Sequence, residues 1–210
     1  MINLDIDGCS VDILPIIRGL VSEAEKVISA LNDKKYDCAA VSLGADQVEQ
    51  ILKRAEAEEE YPDVADLDAV YADFLMNFGT IDLPIPAYVT LVDLCDQKGI
   101  ELIPLDMGEE LYAELYCKKV STMQLFKEDK VARKALKHSF DLSSAEDFVL
   151  EWDNYVNRKL KGLFLLNMER EAFIADTLVN SIGGHTNMLA VIELERLPGI
   201  MDLIGDRKYE

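Results

Sequence analysis

Four short apolar segments, separated by long stretches with helical periodicity, constrain the fold of this chain more than any other feature. Apolar runs of this length, alternating or continuous, are typical of strands. Strands joined by long helical crossovers form a mostly parallel sheet. The sequence therefore predicts an α/β fold with a mostly parallel central sheet of four or slightly more strands and helices on both faces. The four segments are INLDID at 2–7, YDCAAVSLG at 36–44, IELIPLD at 100–106 and NMLAVIEL at 187–194.

The length of the chain bounds its domain organisation. A chain of 210 residues can form one well-packed domain but is short for two. We therefore predict a single domain over residues 1–210. Helical spacing predicts a helix at 11–31, directly after the first strand, and another at 47–58. The helical stretch at about 108–181 is predicted to be an insertion before the last strand, packed as a helical subdomain.

The composition argues against several classes of partner and location. The chain carries 40 acidic and 21 basic residues, and its formal net charge of −19 repels nucleic-acid phosphates. No apolar run reaches the roughly 20 residues that span a bilayer, and the start MINLDIDG lacks the features of a signal peptide. The four cysteines are widely spaced without a CxxC pair, as is typical of reduced thiols. These features predict a cytoplasmic protein with no nucleic-acid partner and no membrane span.

Four carboxylates of the first and last strands form a candidate metal site. Asp5 and Asp7 share one face of the first strand, and Glu193 and Glu195 share one face of the last. If the two strands are neighbours, these side chains converge and offer the oxygen ligands that Mg²⁺, Mn²⁺ or Ca²⁺ prefer. Such a divalent cation is the one cofactor that the sequence suggests. The same alternation is also explained by strands with one solvated face.

Two segments near the C-terminus carry a resemblance to a known family. NMEREAFIADTLVNSI, at 167–182, places Glu169 and Arg170 in a late helix, and ELERLPGI, at 193–200, leads from the last strand into a Pro-Gly-Ile helix start. Together with the order of elements over nearly the whole chain, these segments resemble the TraB/Tiki superfamily of metal-dependent hydrolases. In parallel sheets functional groups gather at the carboxyl ends of the strands, which here carry Ser42, Asp106 and Glu193. The resemblance implies a hydrolase-type site, with Glu169 and Arg170 as its candidate catalytic residues.

The chain departs from the family pattern where metal ligands are expected. The turn DGCSVD lacks the family's histidine, and Ser42 stands in place of a glutamate. Glu193, Glu195 and Arg196 replace the two glycines and the histidine of the last turn. Arginine stays protonated in proteins and cannot ligate a metal. The resemblance therefore implies a hydrolase site that has decayed.

Three hypotheses about function follow from these residues. The leading one is a TraB-like domain that binds a small ligand or a protein, in which Arg170 reaches the cleft to hold an anion or to neutralise the acidic cluster. The second is a divalent-metal-dependent hydrolase, peptidase-like, with a site rebuilt from the four carboxylates. The third is a structural protein that forms homo-oligomers. The first is a pseudoenzyme and the second an enzyme, and the sequence favours the pseudoenzyme.

Overall fold

Five strands form one mixed sheet in the computed structural model, which describes residues 1–54 and 65–207. The sheet order is β1-β2-β5-β3-β4, with β1 antiparallel to β2 and the other pairs parallel. This arrangement confirms the prediction of an α/β fold with a mostly parallel sheet. The strands are β1 Ile2–Ile6, β2 Cys9–Ile16, β3 Cys38–Val41, β4 Glu101–Pro104 and β5 Asn187–Glu193.

Helices fill the connections between the strands. The stretch between β4 and β5 is helical, as predicted. Of the helix predicted at 47–58, residues 47–53 belong to a helix that begins at Ala45 and ends at Lys53, and residues 55–58 lie outside the described residues. No helix in the described ranges is both long and apolar enough to cross a membrane. The helices are α1 Glu23–Asp33, α2 Ala45–Lys53, α3 Asp66–Leu75, α4 Pro86–Lys98, α5 Glu109–Lys119, α6 Thr122–Ala135, α7 Ala145–Lys159, α8 Lys161–Asn180 and α9 Leu197–Arg207, with a 3-10 turn at Leu194–Arg196.

The prediction of a helix at 11–31 is wrong in its first half. The chain turns at Asp7 and Gly8, whose φ angles are 48° and 86°, and returns as β2 beside β1. Strand β2 lies between β1 and β5 and is buried on both faces, so its apolar residues run almost continuously. A continuous apolar run of this kind does not distinguish a buried strand from a buried helix.

Two apolar cores cover the two faces of the sheet. On one face, α1, α2 and α4 pack against side chains such as Ala39 and Val191. On the other face, α8 and α9 pack against the alternate positions, which include Ala40 and Ile192. Strand β5 is therefore buried on both sides, and its last residue, Glu193, is buried as well.

A third core, rich in aromatic side chains, lies beyond the carboxyl edge of the sheet. Helices α3, α6 and α7 form it together with the segment that follows β2. Its centre is Phe148, which is 0% exposed and has five aromatic rings within 6.3 Å, centroid to centroid. Of the predicted helical insertion, α6 and α7 therefore pack in this third core, whereas α8 packs on the sheet.

Candidate functional site

Polar groups gather where the four parallel strands end. Arg18 lies two residues beyond β2, Ser42 directly follows β3, Glu193 ends β5, and Asp106 lies two residues beyond β4. Parallel strands place their carboxyl ends at a common edge of the sheet, so these side chains meet around one cleft. Ser42, Asp106 and Glu193 are each buried. We call this the carboxyl-edge cleft.

Two adjoining cavities form the carboxyl-edge cleft. One has a volume of ≈ 530 Å³ and the other ≈ 340 Å³, and Arg18, Tyr112 and Arg170 line both of them. Asp106 and Glu193 line the larger cavity, whereas the smaller one extends toward the aromatic core. A further cavity of ≈ 720 Å³, between α6 and α7, is lined by lysines that are exposed to solvent. Buried charged groups therefore distinguish the carboxyl-edge cleft from that surface groove.

Two arginines of the cleft are each neutralised by one acid. Arg170 donates from Nε to Oδ2 of Asp106 at 2.9 Å, and its Nη2 contacts the same oxygen. Arg18 Nε lies 2.8 Å from Oε1 of Glu195, but Nε makes no hydrogen bond, so the contact is an ion pair. The Arg18 guanidinium also lies 4.9 Å from the centroid of the Tyr71 ring, which fixes it against the aromatic core.

Arg196 bridges two helices behind the cleft. Its Nη2 lies 3.2 Å from Oδ1 of Asp153 on α7, and its Nη1 lies 3.1 Å from Oε1 of Glu171 on α8. Burial raises the pKa of both carboxyls, and the charge of Arg196 opposes that rise. Gly199 completes the arrangement, because a Cβ atom there would lie 2.1 Å from Oε2 of Glu171. The segment ELERLPGI thus joins the last strand to α7 and α8.

Glu193 is the acid of the cleft that forms no direct ion pair among the described residues. Arg18 pairs with Glu195 and Arg170 with Asp106, which leaves Glu193 without an ion pair among the described residues. It is 5% exposed, and its Oε2 has no hydrogen-bond partner in the same part of the chain. Burial is the largest effect on the pKa of Glu193 and raises it, while the charge of Arg170 opposes the rise and that of Glu195 adds to it. Glu193 therefore retains its proton to a higher pH than an exposed glutamate does.

Ser42 and Tyr88 form a buried pair of hydroxyl groups next to Glu193. Their hydroxyl oxygens are 2.7 Å apart, and the backbone N–H of Glu193 donates to Oγ of Ser42 at 3.4 Å. Burial raises the pKa of Tyr88 well above its ordinary value. A neutral phenol and a hydroxyl therefore hold the end of β5 in the buried interior, beside the cleft rather than in its lining.

The structure does not bring the four predicted metal ligands together. Strand β2 lies between β1 and β5, and because β1 is antiparallel, Asp5 and Asp7 lie at the amino edge of the parallel strands. Asp5 is opposite Ser10, which is level with the first residue of β5, whereas Glu193 is its last. At about 3.3 Å per residue, roughly 20 Å separates the two pairs of acids. The neighbouring-strand premise of that site is wrong.

The two predicted catalytic residues lie on different sides of α8. Arg170 points into the cleft and binds Asp106, as described above. Glu169 is 46% exposed at its side chain and pairs with Lys119 of α5 at 2.6 Å. Consecutive helical residues point about 100° apart, which separates them. Arg170 is therefore part of the candidate site, and Glu169 lies outside it.

Sequence reasoning missed several residues of the cleft. Arg18 was assigned to a helix, although the dense β-branched run before it and Gly19 after it could have indicated the end of a strand. Asp153 and Tyr88 lie on the inner faces of ordinary amphipathic helices. No local pattern separates such residues from other polar or aromatic positions on a helix.

Comparisons with known proteins identify no relative of this chain. The resemblance to TraB/Tiki hydrolases depends on the segments around Glu169 and Pro198, and the structure places both segments beside the cleft. Placement of this kind is compatible with many α/β folds, so it does not identify a family. A scan against family models, a search of curated proteins and a search of solved structures each found no match to this chain.

Proposed function

We propose that the chain binds a small cationic ligand, an amine or a guanidine, in the carboxyl-edge cleft, on a TraB-like fold whose hydrolase site has decayed. One observation carries the proposal: Oε2 of Glu193 and Oε2 of Glu195 are both buried without a hydrogen-bond donor among the described residues. An unsatisfied buried polar group costs about 1–3 kcal/mol, and more when it is charged. Such a cost is commonly retained where a ligand supplies the missing partner.

The charges of the cleft favour a cation over an anion. Arg18 and Arg170 are each occupied by one acid, so neither guanidinium offers a free charge to an anion. Glu193 is an additional acid, and the formal net charge of −19 raises the concentration of cations near the surface. Glu193 lines the larger cavity and Glu195 the smaller one, so a ligand ammonium group in either cavity can donate to the unpartnered oxygen there.

The alternative of a metal-dependent hydrolase has less support. Within the described ranges, the cleft acids do not place three ligand atoms close enough together for one metal ion. Arg18 and Arg170 also occupy the space beside Glu195 and Asp106, where they compete with any cation for the same oxygens. We therefore favour binding of an organic cation over metal-assisted hydrolysis.

The binding experiment uses matched probes that differ in charge. Butylamine and butylguanidine are titrated by calorimetry against the full chain, with butanol as the neutral control. We expect the two cations to bind and butanol not to bind, and Glu193→Gln to weaken binding at least tenfold because glutamine carries no charge. Glu49→Gln, on the exposed face of α2, is the matched control and should leave binding unchanged. Equal responses to amine and alcohol, or full binding by the Glu193→Gln variant, would reject the proposal.

The same variant is expected to be more stable than the wild type at neutral pH. The folded-state pKa of Glu193 is raised above its ordinary value of 4.5, so ionisation of the folded protein is unfavourable. This penalty is absent below the ordinary pKa and grows as the pH rises toward the folded-state pKa. Glu193→Gln should therefore have a higher free energy of unfolding than the wild type near neutral pH, and this gain should disappear below the ordinary pKa. Urea denaturation as a function of pH measures the gain, and a constant difference at all pH values would contradict the assignment.

A further inference from the structure

The amino edge of the sheet carries a second cluster of chemically reactive side chains, far from the carboxyl-edge cleft. Asp37 directly precedes β3, Cys38 is its first residue, and His185 lies in the loop that enters β5. One ligand atom from each of the three residues lies within 4.8 Å of the other two. No other group in the described ranges places three potential metal-ligand atoms so close together. A carboxylate, a thiol and an imidazole thus converge from two different segments of the chain.

We propose that Asp37, Cys38 and His185 bind a zinc-type divalent cation. Sulfur, imidazole nitrogen and carboxylate oxygen are the ligands of tetrahedral Zn²⁺, at about 2.3, 2.1 and 2.0 Å from the ion. Those bond lengths place the ligand atoms about 3.5 Å from one another, so the observed spacing must close by about 1 Å. Three protein ligands leave the fourth position of the ion for water.

The surroundings of His185 fit the role of a ligand. Its Nδ1 lies 3.8 Å from Oδ1 of Asp37, and its Nε2 lies 3.8 Å from Oε2 of Glu101. An imidazole that binds a metal through one nitrogen typically donates the N–H of the other nitrogen to a carboxylate. With Nδ1 on the ion, Nε2–H faces Glu101, which fixes the ring and the tautomer.

The carboxylate of Asp37 is positioned before any ion binds. Its Oδ2 accepts from the backbone N–H of Thr186 at 2.7 Å and from Oγ1 of Thr186 at 2.9 Å. The backbone N–H of Asp37 in turn donates to the carbonyl of Asn187 at 3.0 Å. Because Thr186 directly follows His185, these bonds hold the imidazole next to the carboxylate. The side chain of Asp37 is 40% exposed, which provides a path for the ion from solvent.

Metal binding at this site releases one proton. Cys38 is 0% exposed, and cysteine binds Zn²⁺ as the thiolate. The ion must therefore displace the thiol proton to solvent as the sulfur–metal bond forms, whereas the neutral imidazole binds through its lone pair. The resulting thiolate, imidazole and carboxylate carry a total charge of −2, which balances the charge of the ion.

Cobalt is the probe for this site, because a thiolate bound to Co²⁺ gives a charge-transfer absorption in the near ultraviolet. The full chain is freed of metal with a chelator and titrated with Co²⁺, followed by Zn²⁺. We expect one equivalent of Co²⁺ to produce the band, and Zn²⁺ to remove it. Cys38→Ser should abolish the band, and His185→Gln should weaken Co²⁺ binding at least tenfold.

Two other cysteines provide matched controls. Cys95→Ser changes a thiol that is also buried but lies in the core on the opposite face of the sheet, and Cys117→Ser changes an exposed one. Both should retain the band. The band in Cys38→Ser, its loss in either control, or unchanged binding by His185→Gln would overturn the proposal. His185 lies in a loop, so that variant tests the site even if Cys38→Ser fails to fold. Binding of butylamine at the cleft should be unaffected in His185→Gln.

Discussion

Replacing Arg196 with methionine is expected to lower the free energy of unfolding by about 3 kcal/mol. The guanidinium is the shared partner of Asp153 and Glu171, and the side chains of all three residues are at most 21% exposed. Removal of Arg196 takes the directly paired counter-charge away from two half-buried acids, and this penalty far exceeds the net contribution of the intact pairs. Equilibrium denaturation in urea near pH 7 measures the loss.

The pH dependence of the Arg196→Met variant separates loss of charge from loss of packing. Burial already raises the pKa of Asp153 and Glu171, and loss of the arginine charge raises both further. An acid whose folded-state pKa is raised destabilises the protein only at a pH where the acid ionises. The deficit should therefore shrink as the pH falls toward about 5. Lys118→Ala removes the exposed pair with Glu114 and should leave the free energy of unfolding nearly unchanged. A pH-independent deficit in Arg196→Met would contradict the electrostatic explanation.

Replacing Phe148 with alanine is expected to have a similar or larger effect, a loss of about 3–5 kcal/mol. Phe148 is 0% exposed, stacks on Tyr71 at 5.7 Å and meets Phe140 edge-on at 5.6 Å, between ring centroids. Its removal leaves a cavity bounded by rings from α3 and α7, which these helices cannot close without moving. Because Tyr71 also contacts Arg18, the loss should extend to the wall of the carboxyl-edge cleft.

The matched control for this variant is Phe126→Ala. Phe126 is 72% exposed on α6, so its removal creates no cavity and should change stability by less than about 0.5 kcal/mol. Phe148→Leu, which keeps most of the apolar volume, should recover part of the loss. Urea denaturation of the three variants gives the midpoints and slopes. A loss below about 1.5 kcal/mol for Phe148→Ala would show that the aromatic core can repack around the gap.

Local sequence pattern predicts four of the five strands and misses β2. The segments that form β1, β3, β4 and β5 are short alternating or apolar runs, and the sequence predicts each of them as a strand. Strand β2 was assigned as a helix, because a strand buried on both faces lacks the alternation that identifies strands with one solvated face. The hairpin that it forms with β1 depends on the turn at Asp7 and Gly8. Without this hairpin, Asp5 is expected at the carboxyl edge of the sheet, whereas in the structure it lies at the amino edge.

The sequence indicates at which edge of the sheet the candidate site lies, but not which of its charged side chains pair with each other. The rule for parallel sheets indicates the carboxyl edge, and Asp106 and Glu193 lie at that edge in the structure. The partners of these acids come from elements far away in the chain. Arg170 reaches Asp106 across 64 residues, and Arg196 reaches Asp153 across 43. The docking of α7 and α8 sets these contacts, and no local spacing encodes that docking.

The sequence by itself determined the alternation of strands and helices, the mostly parallel sheet and the edge at which its polar strand ends meet. These features follow from hydrophobic periodicity and from the crossovers that parallel strands require, both of which are local properties. Only the tertiary structure decided which charges are neutralised, that Glu193 remains without a partner among the described residues, and that Asp37, Cys38 and His185 converge at the opposite edge. The physical reason is that burial and pairing depend on distances between segments remote in sequence, which only the packing of the whole chain sets.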